Sequence, residues 1–454
     1  MFHGTFLVWD GGESGLGTSQ PDHEDTAPRT SSRRYRPEVS EASEQPVDLL
    51  VLGAGIAGLW ILDAATRAGL RAVGVECAAI GRGQSVSAQG IIHGGLKYTL
   101  RERDVAAAGS IRDMPAEWLR MNREPDSEGP DLSRAVVSSP CTWIWRTERL
   151  ASRIGMLGAR AALRSRPEAV KRTDRPVILQ SVPGQVLRVD EPVFETRTVL
   201  QAIAEPLQDR LVGVSGPEGI EISSRSGLVD TVTLRDGSGE VCLRPEAVVL
   251  AAGTGNEGLL SRLGLDAGIA QRRPLHMTLL RSPDLPRLHG HCVDGNRTRI
   301  TVTSAHDSEG RVVWQLGGEL AESGVDRDPA TQLAHAAGEI EAVLPALDPA
   351  SLRNLEWATY RVDRAERRTG QGLRPDDATI ESHHDGRLIA AWPTKWALAP
   401  RLAARVLEAI PCRAASGTPA PPDLRPLLAP EIAPYPWEEA TWTSHQDVRS
   451  AGPA

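Results

Sequence analysis

The 454-residue sequence predicts an α/β fold, in which a mostly parallel sheet with flanking helices carries an inserted, mostly antiparallel β domain. Three observations predict this fold. The chain is longer than most domains that have a single hydrophobic core, which favours two intertwined domains. Short β-type runs alternate with helical stretches. The apolar run at residues 48–52, typical of a parallel strand buried on both faces, leads directly into a glycine-rich turn.

Hydrophobic periodicity and turn residues assign the elements. The predicted helices are residues 56–68, 112–122, 197–206 and 332–343. The predicted strands are residues 47–52, 72–76, 212–222, 228–234, 247–251, 299–303, 311–316 and 388–391. Residues 10–46 are rich in Ser, Glu, Asp, Arg, Pro and Gly without periodicity, and residues 1–46 are predicted to form a disordered tail. The Pro-rich C-terminal tail, residues 413–454, is predicted to be extended and weakly ordered over 418–436 and after Trp442.

The glycine-rich turn predicts a dinucleotide site of Rossmann type. Gly53 permits a tight turn, Gly55 lets the backbone approach a pyrophosphate, and Gly58 lets the helix pack closely on the strand. Glu76 ends the next strand, 21 residues after Gly55. A carboxylate there accepts hydrogen bonds from an adenosine ribose and repels a 2′-phosphate. The whole turn reads Gly53-Ala54-Gly55-Ile56-Ala57-Gly58.

Two further segments distinguish FAD from NAD, which the turn alone does not. An apolar strand ends in Ala251-Ala252-Gly253, about 170 residues beyond the second strand, whereas nicotinamide domains are usually one compact block. Such a strand resembles the second nucleotide-contacting strand of two-dinucleotide-binding flavoproteins. The loop at residues 81–98 is rich in Ser and Gly, which lets backbone N–H groups reach phosphate and a flavin edge.

This loop, with Ile92-His93-Gly94-Gly95-Leu96-Lys97-Tyr98, resembles the D-amino-acid oxidase superfamily and, within it, the FAD-dependent glycerol-3-phosphate dehydrogenases. The resemblance covers roughly residues 47–410. It implies a Rossmann-like FAD-binding domain of glutathione-reductase type 2. The implied cofactor-binding residues are Gly53, Gly55, Ile56, Ala57, Gly58, Glu76, Ser85, Ser87, Gln89, Gly90, Val212, Ala251, Ala252, Gly253, Pro393, Thr394 and Lys395.

The resemblance also implies residues for catalysis and substrate binding. His93 is a candidate proton acceptor, and Lys395 is suited to stabilise the negative charge of reduced flavin. Lys97 stands where the glycerophosphate family has Arg, which puts a phosphate substrate in doubt. Trp392-Pro393-Thr394 replaces the family's Gly-His-Gly. The catalytic candidates are His93, Lys97, Arg361 and Lys395, and the candidates for an anionic substrate group are Arg361, Arg364 and Arg374.

The resemblance implies a division of the chain into domains. The FAD-binding domain comprises residues 47–134, 195–265 and 370–412, and the substrate domain comprises residues 135–194 and 266–369.

Composition excludes several classes of partner. A net charge of −8 and a pI near 5.8 argue against a nucleic-acid surface. Five widely spaced cysteines without a CxxC pair indicate reduced thiols in the cytoplasm. No apolar run is long enough for a transmembrane segment, and the N-terminus lacks a signal-peptide pattern. The spacing of His276, His289, His291 and His306 predicts no metal site.

Together these features predict an FAD-dependent oxidoreductase. It would remove hydride from a C–H bond next to a hydroxyl or an amine of a small anionic substrate, with the electron acceptor left open. The His-Gly-Gly segment favours glycerol-3-phosphate-like or 2-hydroxy-acid oxidation, and Lys395 favours amine or amino-acid oxidation. A noncatalytic FAD-binding redox sensor and an NAD-dependent enzyme are the alternatives from other classes.

Overall fold

The structure is a computed structural model that describes residues 44–95, 111–125, 128–147, 168–225, 228–294, 297–349, 352–370, 375, 377–412, 420–425 and 427–450. Two of the predicted site residues, Lys97 and Arg374, lie outside these ranges, as do residues 1–43 of the predicted N-terminal tail.

The first sheet forms where the sequence predicts a nucleotide fold. Its strands are β1 (Gln45–Leu52), β2 (Ala72–Glu76), β8 (Leu211–Gly213), β9 (Ile220–Arg225), β10 (Leu228–Arg235), β11 (Glu240–Leu250), β17 (Thr379–His383) and β18 (Leu388–Trp392). They run in the order β17-β18-β11-β1-β2-β8, and β1 pairs in parallel with both β2 and β11. β18 and β8 extend the parallel part, whereas β17, β10 and β9 are antiparallel additions.

The second sheet is mostly antiparallel. Its strands are β4 (Thr142–Arg146), β5 (Glu168–Ala169), β6 (Val186–Val189), β12 (Ala270–Ser282), β13 (Gly290–Asp294), β14 (Arg297–His306), β15 (Val312–Gly317), β16 (Glu356–Arg367) and β19 (Thr443–Ser444). They run in the order β19-β16-β12-β15-β14-β13-β4-β6-β5. Among the described residues, the single parallel pair of this sheet joins β13 to β4. A separate pair joins β3 (Val137–Ser139) to β7 (Val193–Phe194).

Helices cover both sheets and close their cores. α1 (Ile56–Arg67) and α8 (Ala399–Ala409) pack on one face of the first sheet, and α7 (Pro329–Val343) packs on the second. Burial of their apolar faces supplies most of the stabilisation, at roughly 25 cal/mol per Å². The other helices are α2 (Met114–Arg123), α3 (Val177–Gln180), α4 (Thr196–Ala204), α5 (Asn256–Arg262), α6 (Glu319–Glu322) and α9 (His445–Ser450).

None of the helices in the described part of the chain combines the length and the apolar character needed to cross a membrane.

The structure corrects two expectations, one about a strand and one about the C-terminal tail. The strand predicted at residues 212–222 is two strands, because Gly216, at φ +78°, and Pro217 turn the chain between β8 and β9. The C-terminal stretch is not weakly ordered where it is described. Tyr435 stacks on Trp437, with ring centroids 4.2 Å apart, and β19 pairs with β16. Burial of these rings offsets the entropy of ordering the tail.

A buried histidine directly before β13, His289, makes stability depend on pH. Burial, with a smaller effect of Arg287, lowers the pKa of His289 to about 4. Since His289 protonates more readily in the unfolded chain, its contribution to stability is lost as the pH falls from 6.5 towards 4. We expect a cost of about 2 kcal/mol between about pH 7 and about pH 5.

Urea unfolding of the holoprotein at the two pH values would measure this cost. His289→Gln should reduce the change in the free energy of unfolding between the two pH values, whereas His306→Gln, at an exposed position, should leave that change as in the wild type. An equal change in the wild type and in His289→Gln would contradict the assignment of the pH dependence to His289.

Candidate cofactor and active site

The glycine turn brings the two predicted nucleotide segments together. Gly53 has φ +108°, and a Cβ on it would lie 2.6 Å from Cα of Ala252. A Cβ on Gly58 would lie 1.7 Å from the carbonyl oxygen of Gly53. Only residues without a side chain therefore let α1 and β11 approach this turn so closely.

The N-terminus of α1 faces the described part of the serine-rich loop, residues 81–95, which is the flavin loop. The backbone N–H of Ile56 donates to Oγ of Ser85 over 2.9 Å. A Cβ on Gly55 would lie 2.9 Å from the same hydroxyl oxygen. Helix N-terminal N–H groups and the positive end of the helix dipole favour a phosphate. The turn and Ser85 thus form a cradle that is suited to a pyrophosphate.

Glu76 stands beside this cradle at the end of β2. Its carboxylate accepts a hydrogen bond from the N–H of Ala54 over 2.8 Å, and from the N–H groups of Cys77 and Ala78 over 3.0 Å each. Burial raises the pKa of Glu76, an effect that these backbone donors oppose. Val212 pairs with Val75 on the neighbouring strand. Glu76, which is predicted to contact the ribose, and Val212, which is predicted to bind the cofactor, therefore lie on adjacent strands.

The flavin loop continues from this cradle to the second sheet. Gln89 donates through Nε2 to the carbonyl of Gln315 over 2.9 Å, which ties the loop to β15. Gly90 has φ +68°, and a Cβ on it would lie 1.9 Å from the carbonyl oxygen of Phe194. Ser87 accepts a hydrogen bond at its carbonyl from Nε2 of Gln315. The loop is thus fixed between β7 and the second sheet.

A cavity of about 230 Å³ lies between this loop and one face of the second sheet. Alternate residues of β12 and β16 form its wall, because side chains in a strand point to opposite faces with a period of two. Residues 394–397 close another side. Predicted residues that line the cavity are Ser87, Gln89, Gly90, His93, Arg364, Thr394 and Lys395.

Arg361 and Arg364 lie on different sides of β16. Arg364 lines the cavity and donates to Oε1 of Glu322 over 3.0 Å. Arg361 does not line this cavity; its guanidinium donates to the carbonyl oxygens of Val325 and Arg327. The structure thus brings Arg364, and not Arg361, to the site. Sequence reasoning missed Arg273, which lines the same wall and forms a two-point ion pair with the fully buried Glu366.

The segment at residues 392–397 has a strained backbone at Thr394. Thr394 has φ +62°, a conformation that a β-branched residue rarely adopts, and its hydroxyl donates to the carbonyl of Asp377. Lys395 follows and is only 9% exposed at the cavity. Trp396 also lines the cavity, and its indole Nε1 is buried without a hydrogen-bond partner among the described residues.

His93 contacts a carboxylate that sequence reasoning missed. Its Nδ1 lies 3.2 Å from Oε2 of Glu191. The ring of His291 packs near that of His93, with centroids 5.4 Å apart. Ligand-type atoms of these three residues all lie within 4.8 Å of one another. No motif marks Glu191, which lies 98 residues from His93, so only the fold reveals it. The expected absence of a metal stays a prediction.

A cradle suited to a pyrophosphate, a carboxylate beside it at the end of β2 and a cavity next to the flavin loop are typical of a protein that binds FAD in a Rossmann-type fold. The model of the DAO family, FAD dependent oxidoreductase, matches residues 48–399. The chain therefore belongs to the DAO family of FAD-dependent oxidoreductases. This finding confirms the α/β fold class, the cofactor and the enzyme class predicted above.

Similar proteins fit this membership. The probable FAD-dependent oxidoreductase PA4991 of Pseudomonas aeruginosa is 41% identical over 363 residues, which cover 79% of this chain and 89% of the relative. Its crystal structure superposes with a TM-score of 0.70 at 35% identity, and covers 87% of this chain and 99% of that one.

Two distant structures share the fold. Glycine oxidase of Geobacillus kaustophilus has a TM-score of 0.55 at 15% identity, and covers 86% of this chain and 100% of its own. L-alpha-glycerophosphate oxidase of Mycoplasma pneumoniae, with FAD bound, has a TM-score of 0.57 at 11% identity, and covers 82% and 97%.

The residues present fit FAD. The cradle at Gly53 and Gly58 leaves no space for a Cβ, Ser85 and the α1 N-terminus suit the pyrophosphate, and the indole N–H of Trp396 is available as a donor at the cavity. When bound, FAD supplies a two-electron acceptor for a substrate hydride.

Removal of the Glu76 carboxylate tests the ribose contact. We expect Glu76→Ala to weaken FAD binding about 10- to 100-fold, because a hydrogen bond to a charged group contributes about 1.5–3 kcal/mol. Fluorescence titration of the apoprotein with FAD measures this affinity. Glu246→Ala, at an exposed position, is the control. Equal affinities of both variants for FAD would contradict the ribose role.

Proposed function

We propose that this enzyme oxidises a C–H bond next to a hydroxyl or amino group of a small anionic substrate, with the hydride passing to FAD. One observation carries the proposal: His93, Arg364 and Lys395 line the same cavity as the flavin loop. A proton acceptor and two cationic side chains there match an anionic substrate that loses a proton and a hydride.

The cavity residues divide substrate binding and proton transfer between them. Arg364 and Lys395 hold the anionic group and orient the reacting carbon, which lowers the entropic part of the barrier. His93 takes the proton of the substrate hydroxyl or ammonium at Nε2. The buried ammonium of Lys395 also favours the negative charge that develops on reduction.

Alcohols and amines remain two substrate classes for the same site. The imidazole of His93 favours alcohols, because a hydroxyl must lose its proton as the hydride leaves. Amine oxidation is the second candidate, because Lys395 lies at the cavity, where it could hold an amino-acid carboxylate.

The five cysteines are free thiols, which supports the expected cytoplasmic location.

Anaerobic bleaching of the flavin absorbance tests the proposal. Holoprotein would be mixed with 2-hydroxy acids, polyol phosphates, and primary and secondary amino acids. Bleaching by one anionic class, and none by its neutral analogues, is the expected result. Bleaching by neutral analogues at an equal rate would contradict it. Hydrogen peroxide formed in air would separate an oxidase from a dehydrogenase.

A further inference from the structure

Glu191 is a buried carboxylate that contacts His93 and Gly94 of the flavin loop. It follows β6, and its side chain is 2% exposed. Its Oε1 accepts the N–H of Gly94 over 2.7 Å, and its Oε2 lies 3.2 Å from Nδ1 of His93. In the described part of the chain no Lys or Arg forms an ion pair with it. Burial of a carboxylate costs free energy unless hydrogen bonds or an opposite charge compensate for the lost water. The contact with His93 therefore contributes to the stability of the buried Glu191 side chain.

We infer that Glu191 is a positioning residue that holds His93 in the tautomer required for proton transfer. This inference rests on the proposed function, in which His93 accepts the substrate proton. An ionised carboxylate only accepts hydrogen bonds, so Nδ1 of His93 must carry the hydrogen. The lone pair then lies on Nε2, the ring nitrogen that does not contact Glu191.

The contact also stabilises the product of proton transfer. The substrate O–H or N–H bond breaks and a new N–H bond forms at Nε2, while the electron pair of the C–H bond leaves with the hydride for FAD. His93 becomes a cation, and its pairing with Glu191 changes from a hydrogen bond to an ion pair. Since Glu191 is out of water, this attraction is weakly screened. The proton on Nδ1 stays on the ring.

His291 completes the surroundings of this pair. Its ring packs near that of His93, and its Nδ1 lies 2.9 Å from the hydroxyl of Thr301, which fixes its orientation. His291 is 1% exposed, so it keeps solvent from the carboxylate. The same three side chains could instead hold a divalent metal ion, but the 3.2 Å contact is already a hydrogen bond that satisfies both Glu191 and His93.

The test uses holoprotein variants and the substrate class that bleaches the flavin. Glu191→Gln should lower the rate of flavin reduction about 10- to 100-fold with little change in KM, because the amide can hold either tautomer. Glu191→Asp should recover part of the rate. Asp190→Asn, at the adjacent exposed carboxylate, should leave the rate unchanged.

A spectroscopic readout separates positioning from folding. In ¹⁵N-histidine NMR of holoprotein, with His93 assigned by loss of its signal in His93→Gln, wild type should show the Nδ1–H form, and Glu191→Gln a mixture. An unchanged His93 tautomer and rate in Glu191→Gln would overturn the inference while leaving the proposed function intact. Failure of the proposed function would appear separately, as an unchanged reduction rate in His93→Gln. Purified protein with one metal ion per chain, lost in Glu191→Gln, would also overturn the inference, because Glu191 would then be a metal ligand.

Discussion

Replacement of His93 by Gln is expected to slow flavin reduction about 10²- to 10⁴-fold, the usual contribution of general base catalysis. The amide cannot accept the substrate proton, whereas Arg364 and Lys395 still hold the substrate. The loss should therefore appear in the limiting rate of reduction and hardly in the substrate concentration at half-saturation. Anaerobic stopped-flow mixing at saturating substrate measures both.

The control for this variant is His306→Gln, the same change at an exposed position of β14. It should reduce its flavin at the wild-type rate, and both variants should retain FAD. A His93→Gln enzyme that keeps half of the wild-type rate or more would disprove the base assignment. Lys395→Met would then be the next variant to measure, because Lys395 also lines the cavity.

The nucleotide half of the fold was predictable because its determinants are local. Gly53 and Gly58 are required by backbone geometry within one turn, so residue type and spacing identify them. The apolar strand before them is buried on both faces and needs no information about its partners. Accordingly, β1, α1 and β2 begin and end within two residues of the predicted bounds.

The cavity wall was less predictable because it depends on pairing between distant strands. β12 and β16 were not predicted, since charged residues such as Arg272, Arg273 and Arg364 interrupt their apolar alternation. These residues face a cavity or solvent and not a core. Whether Arg361 or Arg364 points to the site depends on the register of β16 against β12, where Arg273 pairs with Arg364 and His276 with Arg361.

The contact between His93 and Glu191 could not be inferred from the chain at all. The two residues belong to different segments that meet only when the flavin loop lies against the connection between β6 and β7. Asp190 and Glu191 are neighbours in sequence and chemically alike. Burial alone separates the exposed carboxylate from the one that contacts the imidazole.

Gly58→Ala is expected to weaken FAD binding. Its Cβ would lie 1.7 Å from the carbonyl oxygen of Gly53, so α1 must move away from the turn and its free N–H groups lose their place. Forced repacking of this kind costs about 1–3 kcal/mol or more, and FAD binding should weaken more than about tenfold. The ratio of flavin to protein absorbance after purification measures retention of FAD, and circular dichroism checks that both sheets form.

Gly237→Ala is the matched control, because nothing lies within 4 Å of the added Cβ. A Gly58→Ala protein with the flavin content of that control would mean that α1 can shift without loss of the cradle, and the close approach of helix and strand would then not be what binds the pyrophosphate.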